Sequence, residues 1–404
     1  MQTIKTILFL FLASASLGFG QIYADFTTSM GSFTCALKYV ESPQAVANFI
    51  GLAEGSRPWI DPATGVVRSG VPYYTGVTFH RVMAGFMNQS GSRNGLGSDG
   101  PGYTFRDEVT NGLTHSLTGG TLSMANSGLN TNGAQFFITA GAASFLDGGY
   151  TIFGSVTSGF DVIMAINAVP KTLNSGGEVA VPVTPVIIRN IAIRRVGVAA
   201  NAFDINAQTL PICGGVAGSL KVTPGVSVDY VMSAPQPAAT DIQVSLSSDL
   251  RVWTRINGIY QDPGSAGSSS INFTNSNIAS RAFYNVSLVQ NPAALGPAST
   301  SNRTLTAVFG AQSLTYHINA QGTGGTVDYN NSITISNYEF SVYQFNSGPY
   351  SGTWIFTSSS LKPIQINAAY DGSSSILIQG RMSLKSWDGA QWSSPTTGIM
   401  SLTK

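Results

Sequence analysis

Apolar and polar positions alternate through much of this chain, and two stretches replace the alternation with a helical period. In ADFTTSMGSFTCALKYV, Phe33, Cys35 and Leu37 alternate with Thr34 and Ala36 after a Ser-Met-Gly turn, which predicts two short strands. SPQAVANFIGLAEG follows, with Val46, Phe49, Ile50 and Ala53 on one helical face. Ser42 stands at the N-cap position, Pro43 at the first helical position and Gly55 at the end. Residues 56–76 form a polar insertion rich in Pro and Gly. Strand patterns return at 77–83, 85–90, 120–125, 135–140 and 152–156, separated by glycine turns. A second helical stretch covers 158–167, and the alternating run TPVIIRNIAIRRV closes this part near Val198. Many short strands with two helices predict a mostly β fold, a closed antiparallel β-barrel capped by the two helices.

From about residue 200 the texture changes. Segments such as DIQVSLSS, RAFYNVSLV, TVDYNNSITI and YEFSVYQF are alternating, aromatic or β-branched, and split by Gly, Ser and Asn turns. They predict a β-rich C-terminal region of one or two sandwich or barrel modules, with a seam near Pro292–Ser301. The expected division is therefore 1–20, 21–198, 199–296 and 297–404. The aromatics Trp253, Tyr260, Trp354, Trp387 and Trp392 are read as core packing or strand-edge cover rather than as a sugar-stacking platform.

Composition narrows the class. Only 10% of residues are charged, yet 43% are apolar, so disorder is excluded and a neutral, loop-rich surface is expected. A net charge of +1 offers nothing to attract nucleic acid or an anionic membrane. At the N-terminus Lys5 precedes ILFLFLASASLGFG, a short apolar run ending in small residues, which reads as a signal peptide cut near Gly20. The run is shorter than the roughly 20 residues of a membrane span, and no later stretch is a candidate. The mature protein is expected to be exported, periplasmic or extracellular. An exported chain has the option of bridging Cys35 and Cys213, but alternation puts Cys35 on a core face, which favours free thiols.

Most chemistry is excluded by spacing. His80, His115 and His317 are far apart, and no Cys/His cluster has metal-ligand spacing, so no metal or cofactor is expected. Gly95, Gly97 and Gly100 fit G-x-G-x-x-G, but Pro101 follows and no helix pattern starts there. Asp107 and Glu108 are adjacent rather than set across a cleft.

Three segments remain: TFHRVMAGFMNQSG (78–91), LSMANSGLNTNGAQFFITA (122–140) and FLDGGYTIFG (145–154). In content, order and spacing they resemble the cyclophilin family of peptidyl-prolyl cis–trans isomerases, over roughly residues 23–198. The chemistry so implied is non-covalent. The prolyl amide barrier is about 18–20 kcal/mol, and unaided exchange takes tens to hundreds of seconds. Twisting the bond returns the lone pair to the ring nitrogen, so a catalyst needs a fixed donor, an apolar pocket for the ring and anchors for the flanking backbone.

The resemblance assigns those parts. Arg81 is the donor, always charged and planar. Phe86, Met87, Phe137 and Leu146 match the proline pocket. Gln89 and Gln135 match the polar positions that orient the arginine and bind substrate backbone, and Ala125 and Asn126 match the groove segment that pairs with the residue before proline. The implied partners are proline-containing peptides and unfolded exported proteins. Phe145 and Tyr150 stand where many members carry Trp and His. Losing the indole N–H implies only weak binding of cyclosporin. Asn88 and Ser90 flank Gln89 where an apolar residue and Gly are common, which is expected to alter one groove wall; the 56–76 insertion is placed on the rim. His80 is read as structural, pointing away from Arg81, and Asp147 as a turn residue. A competing reading makes the first domain a peptide-holding module and gives the main function, binding or spacing, to the β-rich half.

Overall fold

The computed structural model describes residues 20–292 apart from 129, 216–217, 224–226, 233–239, 261–269 and 274–282, and beyond them the backbone of strands between 304 and 403. Residues 1–19 of the expected signal peptide, most of the expected seam, and Trp387 and Trp392 lie outside the described residues.

The first unit is built from β1 (Gln21–Thr28), β2 (Gly31–Leu37), α1 (Pro43–Glu54), β3 (Trp59–Ile60), β4 (Val67–Arg68), β5 (Arg81–Met83), β6 (Met87–Ser90), β7 (Thr121–Met124), β8 (Phe136–Thr139), β9 (Ile152–Ser158), α2 (Phe160–Asn167), β10 (Lys171–Leu173), β11 (Val179–Pro182) and β12 (Ile188–Val196). Eight of the strands make one sheet in the order β12-β1-β2-β9-β7-β8-β6-β5. The sheet is curled but not closed strand to strand. At its ends, the segment before β5 meets the start of β12 through Phe79 N–H to the Val186 carbonyl (2.9 Å) and Ile188 N–H to the Val77 carbonyl (2.8 Å). The strands β5 to β8 are only three or four residues long, while β1, β2, β9 and β12 run seven to nine.

Alternation decides what the sheet buries. Phe26 and Phe33 stack at 4.4 Å, and Phe49 of α1 lies 5.8 Å edge-on to Phe136 and 5.3 Å from Phe153. α1 thus places its apolar face on strands β1, β8 and β9, and its residues from Gln44 to Ala53 are buried. Gly55 ends the helix at φ 75°, as its position predicts. The start differs from expectation. Ser42 occupies the N-cap position, but its hydroxyl donates to the Ile152 carbonyl (2.6 Å). The free N–H groups of Gln44 and Ala45 go instead to the Glu108 carboxylate, at 3.1 and 2.9 Å. A carboxylate from a distant loop complements the helix N-terminus more strongly than a hydroxyl, so Ser42 is released to tie the helix to β9.

Packing continues past Val198. Ala200 is buried, Phe203 lies edge-on to Tyr39 at 5.4 Å, and Cys213 joins the same apolar cluster. Cys35 and Cys213 are both buried and free. Strands Ile212–Gly215, Phe283–Gln290, Thr240–Ser247 and Thr254–Tyr260 then pair in that order. The 56–76 insertion faces this second sheet: Asn285 donates to the Thr64 carbonyl (2.8 Å), and nearby Gln243 donates to the Gly102 carbonyl (2.6 Å). Eight further strands between residues 304 and 403 each pair with the next, and the last pairs with the first. Among the described residues no helix is long and apolar enough to cross a membrane.

Candidate active site

Register gathers the central side chains. Arg81 on β5 pairs with Gln89 on β6, Gln89 with Phe137 on β8, and Phe137 with Ser123 on β7. Residues paired across neighbouring strands share a face, so these four form one row. The adjacent row, Val82, Asn88, Ile138 and Leu122, faces inward and is fully buried. Asn88 is therefore not a groove residue. Its amide donates to the Ile163 carbonyl (2.9 Å) and its oxygen accepts from Asn167 (2.8 Å), while Ser90 donates to the Thr78 carbonyl (2.9 Å). The two polar substitutions beside Gln89 serve α2 and the loop before β5, and the altered groove wall expected from them is absent.

A polar chain runs along the open face. Arg81 Nη1 lies 3.4 Å from Gln89 Oε1, Gln89 Nε2 donates to Gln135 Oε1 (3.0 Å), and Gln135 Nε2 donates to the carbonyls of Gly97 (2.9 Å) and Asp99 (2.8 Å). On its other side Arg81 meets Glu178, with Nε to Oε2 at 2.7 Å and Nη2 to Oε1 at 2.8 Å. The Arg81 bond holds the Glu178 carboxyl below the usual carboxylate range. No local signal points to Glu178: it lies in a polar NSGGE loop, 97 residues beyond Arg81.

The apolar side is assembled from three places. Phe86 follows the tight turn at Gly85 (φ 70°), and its carbonyl accepts from Ala140 N–H (2.7 Å). Its ring lies 5.3 Å from Phe145, which is 73% exposed and so forms a rim rather than a buried wall. Leu146 is beside Phe145 in a single 3₁₀ turn, Ser144–Leu146. Met87 and Phe137 are buried, and Tyr150 stands edge-on to Phe137 at 5.6 Å. Asn126 donates to the Gly149 carbonyl (3.0 Å), which anchors the Tyr150 loop. Ala125 N–H donates to the Gln135 carbonyl (2.9 Å) and is already engaged within the protein.

Beneath Phe137 lies an arrangement that periodicity did not show. The His115 ring stacks on Phe137 at 6.0 Å and 6°. His115 Nδ1 lies 2.7 Å from Asp147 Oδ1, its backbone N–H donates to the same oxygen (2.8 Å), and Nε2 is 3.0 Å from Ser123 Oγ. Asp147 thus does more than end the 3₁₀ turn; it ties that turn to the histidine behind Phe137. With Ser123 and His115 buried under the ring, the trio has the order of a nucleophilic triad but no access to substrate. His80 is buried, with its ring beside Gly97, and burial lowers its pKa to about 4, so it is neutral at physiological pH. Among the described residues no group of three or more His, Cys, Asp or Glu is placed to hold a metal ion.

A half-exposed guanidinium beside a row of amide donors and an aromatic pocket is suited to a neutral, extended polypeptide. Comparison with known sequences identifies the family. The family described as cyclophilin type peptidyl-prolyl cis-trans isomerase/CLD matches residues 23–193. Peptidyl-prolyl cis-trans isomerase B of Streptomyces anulatus is 39% identical over 179 residues, which cover 43% of this chain and 97% of that protein. Peptidyl-prolyl cis-trans isomerase A of Mycobacterium tuberculosis is 40% identical over 170 residues, 42% of this chain and 91% of that protein. A Cryptosporidium parvum cyclophilin-type isomerase structure aligns at 29% identity with a TM-score of 0.37, covering 43% of this chain and 98% of that one. Through its first unit, this chain belongs to the cyclophilin-type peptidyl-prolyl cis–trans isomerases.

Proposed function

We propose that the chain isomerises X-Pro bonds of extended or unfolded polypeptides outside the cytoplasm, with Arg81 as the donor to the twisted amide. The observation that carries this reading is the cross-strand row in which Arg81, Gln89 and Phe137 stand side by side. The proline ring enters among Phe86, Met87, Phe137 and Leu146, with Phe145 and Tyr150 at the rim. Gln89 and Gln135 hold the flanking backbone, together with the segment at Ala125 and Asn126. Arg81 addresses the prolyl carbonyl and favours the conformer in which the nitrogen lone pair is restored. A donor fixed before the reaction stabilises the twisted state more than the planar one, because nothing has to reorganise as the bond turns. No bond to the protein forms or breaks. Contacts to backbone and ring alone imply broad selectivity at the residue before proline, and the Phe145 rim implies weak cyclosporin binding.

Catalytic amounts of the full chain shorten the slow refolding phase of an unrelated protein limited by X-Pro isomerisation; no acceleration by folded protein refutes the activity. Export rests on Lys5 and the apolar run after it. N-terminal sequencing of the protein recovered outside the cytoplasm finds a start near residue 21, whereas an intact Met1 there refutes processing. Residues 199–296 and 297–404 are proposed as two further β modules, the first fixed to the isomerase through the 56–76 insertion.

A further inference from the structure

We propose that Glu178 is a positioning residue for catalysis: its carboxylate sets the plane of the Arg81 guanidinium and leaves the outer end of the fork to the substrate. The proposal rests on the role of Arg81 given above and adds to it a residue from outside the three motifs.

The geometry separates a brace from a block. A guanidinium has five N–H donors, one on Nε and two on each Nη. Glu178 takes the Nε side, with one oxygen on Nε and the other on Nη2, and Gln89 lies on Nη1. The second Nη2 donor goes to the Met83 sulfur (2.9 Å), a weak acceptor. A carboxylate acting as an inhibitor would occupy the outer edge between Nη1 and Nη2. Here the side edge is filled; at the outer edge one Nη1 donor is unpaired and the Nη2 donor is held only by a sulfur that a carbonyl, the stronger acceptor, displaces.

Glu178 is itself held. It immediately precedes the return strand of the β10–β11 hairpin, which lies against β5. Within the loop Asn174 Oδ1 accepts from the Glu178 N–H (2.9 Å) and the Gly176 N–H (3.0 Å), and Asn174 Nδ2 lies 3.2 Å from Glu178 Oε2. Asn174 N–H also donates to the Glu178 carbonyl (2.8 Å). At the base, Lys171 Nζ donates to the carbonyls of Asn167 and Val169, both at 2.8 Å, fastening the hairpin to the end of α2. Arg81 stands on a three-residue strand and its side chain is 35% exposed, so packing alone does not fix it. A planar pair with two hydrogen bonds supplies the orientation that a single long contact to Gln89 does not.

The test compares full-chain wild type with Glu178→Ala, Glu178→Gln and Glu178→Asp on an Ala-Pro peptide, with Arg81→Ala alongside. Misplacing a donor acts on turnover, so kcat falls about tenfold in Glu178→Ala while KM stays within about twofold. Glu178→Gln falls less, and Glu178→Asp recovers part of the loss. A second readout does not involve activity: the Arg81 Nε–H resonance exchanges slowly with water in wild type and at least about tenfold faster in Glu178→Ala, with the rest of the spectrum unchanged. Unchanged or raised kcat in Glu178→Ala, with Arg81→Ala inactive, overturns the brace and makes Glu178 a bystander or a block. A rise in KM alone also overturns it, since the carboxylate would then be touching substrate. Full turnover by Arg81→Ala refutes the underlying assignment of Arg81, whatever Glu178 does.

Discussion

Replacing Asp147 by alanine removes one oxygen that serves two donors, the backbone N–H and the ring Nδ1 of His115. His115 is 3% exposed, so neither donor has ready access to water once its partner is gone. A buried donor left without a partner costs about 1–3 kcal/mol, so the change costs about 2–4 kcal/mol after partial relief from the open side of the turn. The loss is local first. His115 stops backing Phe137, and the turn carrying Phe145 and Leu146 detaches from β7. Native-state hydrogen exchange of the β7 and β8 amides reads this directly, without assuming that the whole chain unfolds as one. At about 1.4 kcal/mol per factor of ten, protection at Phe137 and Ile138 falls about 30- to 700-fold. Asp147→Asn keeps an acceptor and loses less. The pH dependence has a definite sign. Burial raises the Asp147 pKa, but the backbone and ring bonds of His115 outweigh it, and the net shift is downward. A lowered carboxyl pKa contributes stability that is full above the ordinary value of 3.8 and lost as pH falls through the lowered one. Unchanged protection in Asp147→Ala at neutral pH refutes the bracing role.

Three further outcomes follow from other contacts. Glu108→Ala uncaps α1 and lowers stability by about 1–2 kcal/mol, read as a drop in the thermal midpoint; no drop would mean that the two N–H groups find water. Asn88→Leu loses the bonds to Ile163 and Asn167 and destabilises by about 1–3 kcal/mol, yet turnover per folded molecule stays within about twofold because the residue faces α2. Lost turnover without lost stability would put Asn88 back in the groove. Phe145→Trp restores an indole donor at the rim and tightens cyclosporin binding about tenfold by calorimetry; equal affinity would show that the rim does not limit it.

The three motifs made the groove row legible because they supply residues whose strands are neighbours, and alternation then puts Arg81, Gln89 and Phe137 on one face. The same alternation, applied to Asn88 and Ser90, points them inward, although their polarity suggests a groove role. Polarity misled there because the inward face of β6 meets the end of α2, where Asn167 and the Ile163 carbonyl need partners. The helix α1 was legible from its period and from Gly55, but its cap was not: Glu108 is 64 residues from Gln44, and only the fold brings them together. Glu178 and Asp147 are hidden for the same reason. Each sits in a glycine-rich turn whose composition explains itself locally, and its partner is fixed by topology. Closure of the barrel strand to strand was not legible either: β5 does not pair with β12, and the gap is crossed by the segment before β5 meeting Val186 and Ile188.

The most direct measurement is prolyl isomerisation of an Ala-Pro peptide by the purified full chain and by its Arg81→Ala variant. The role of Arg81 predicts fast exchange in wild type and a loss of about a hundredfold or more in a variant that remains folded, since a preorganised donor typically contributes about that much. Near-full turnover by the folded variant would contradict it.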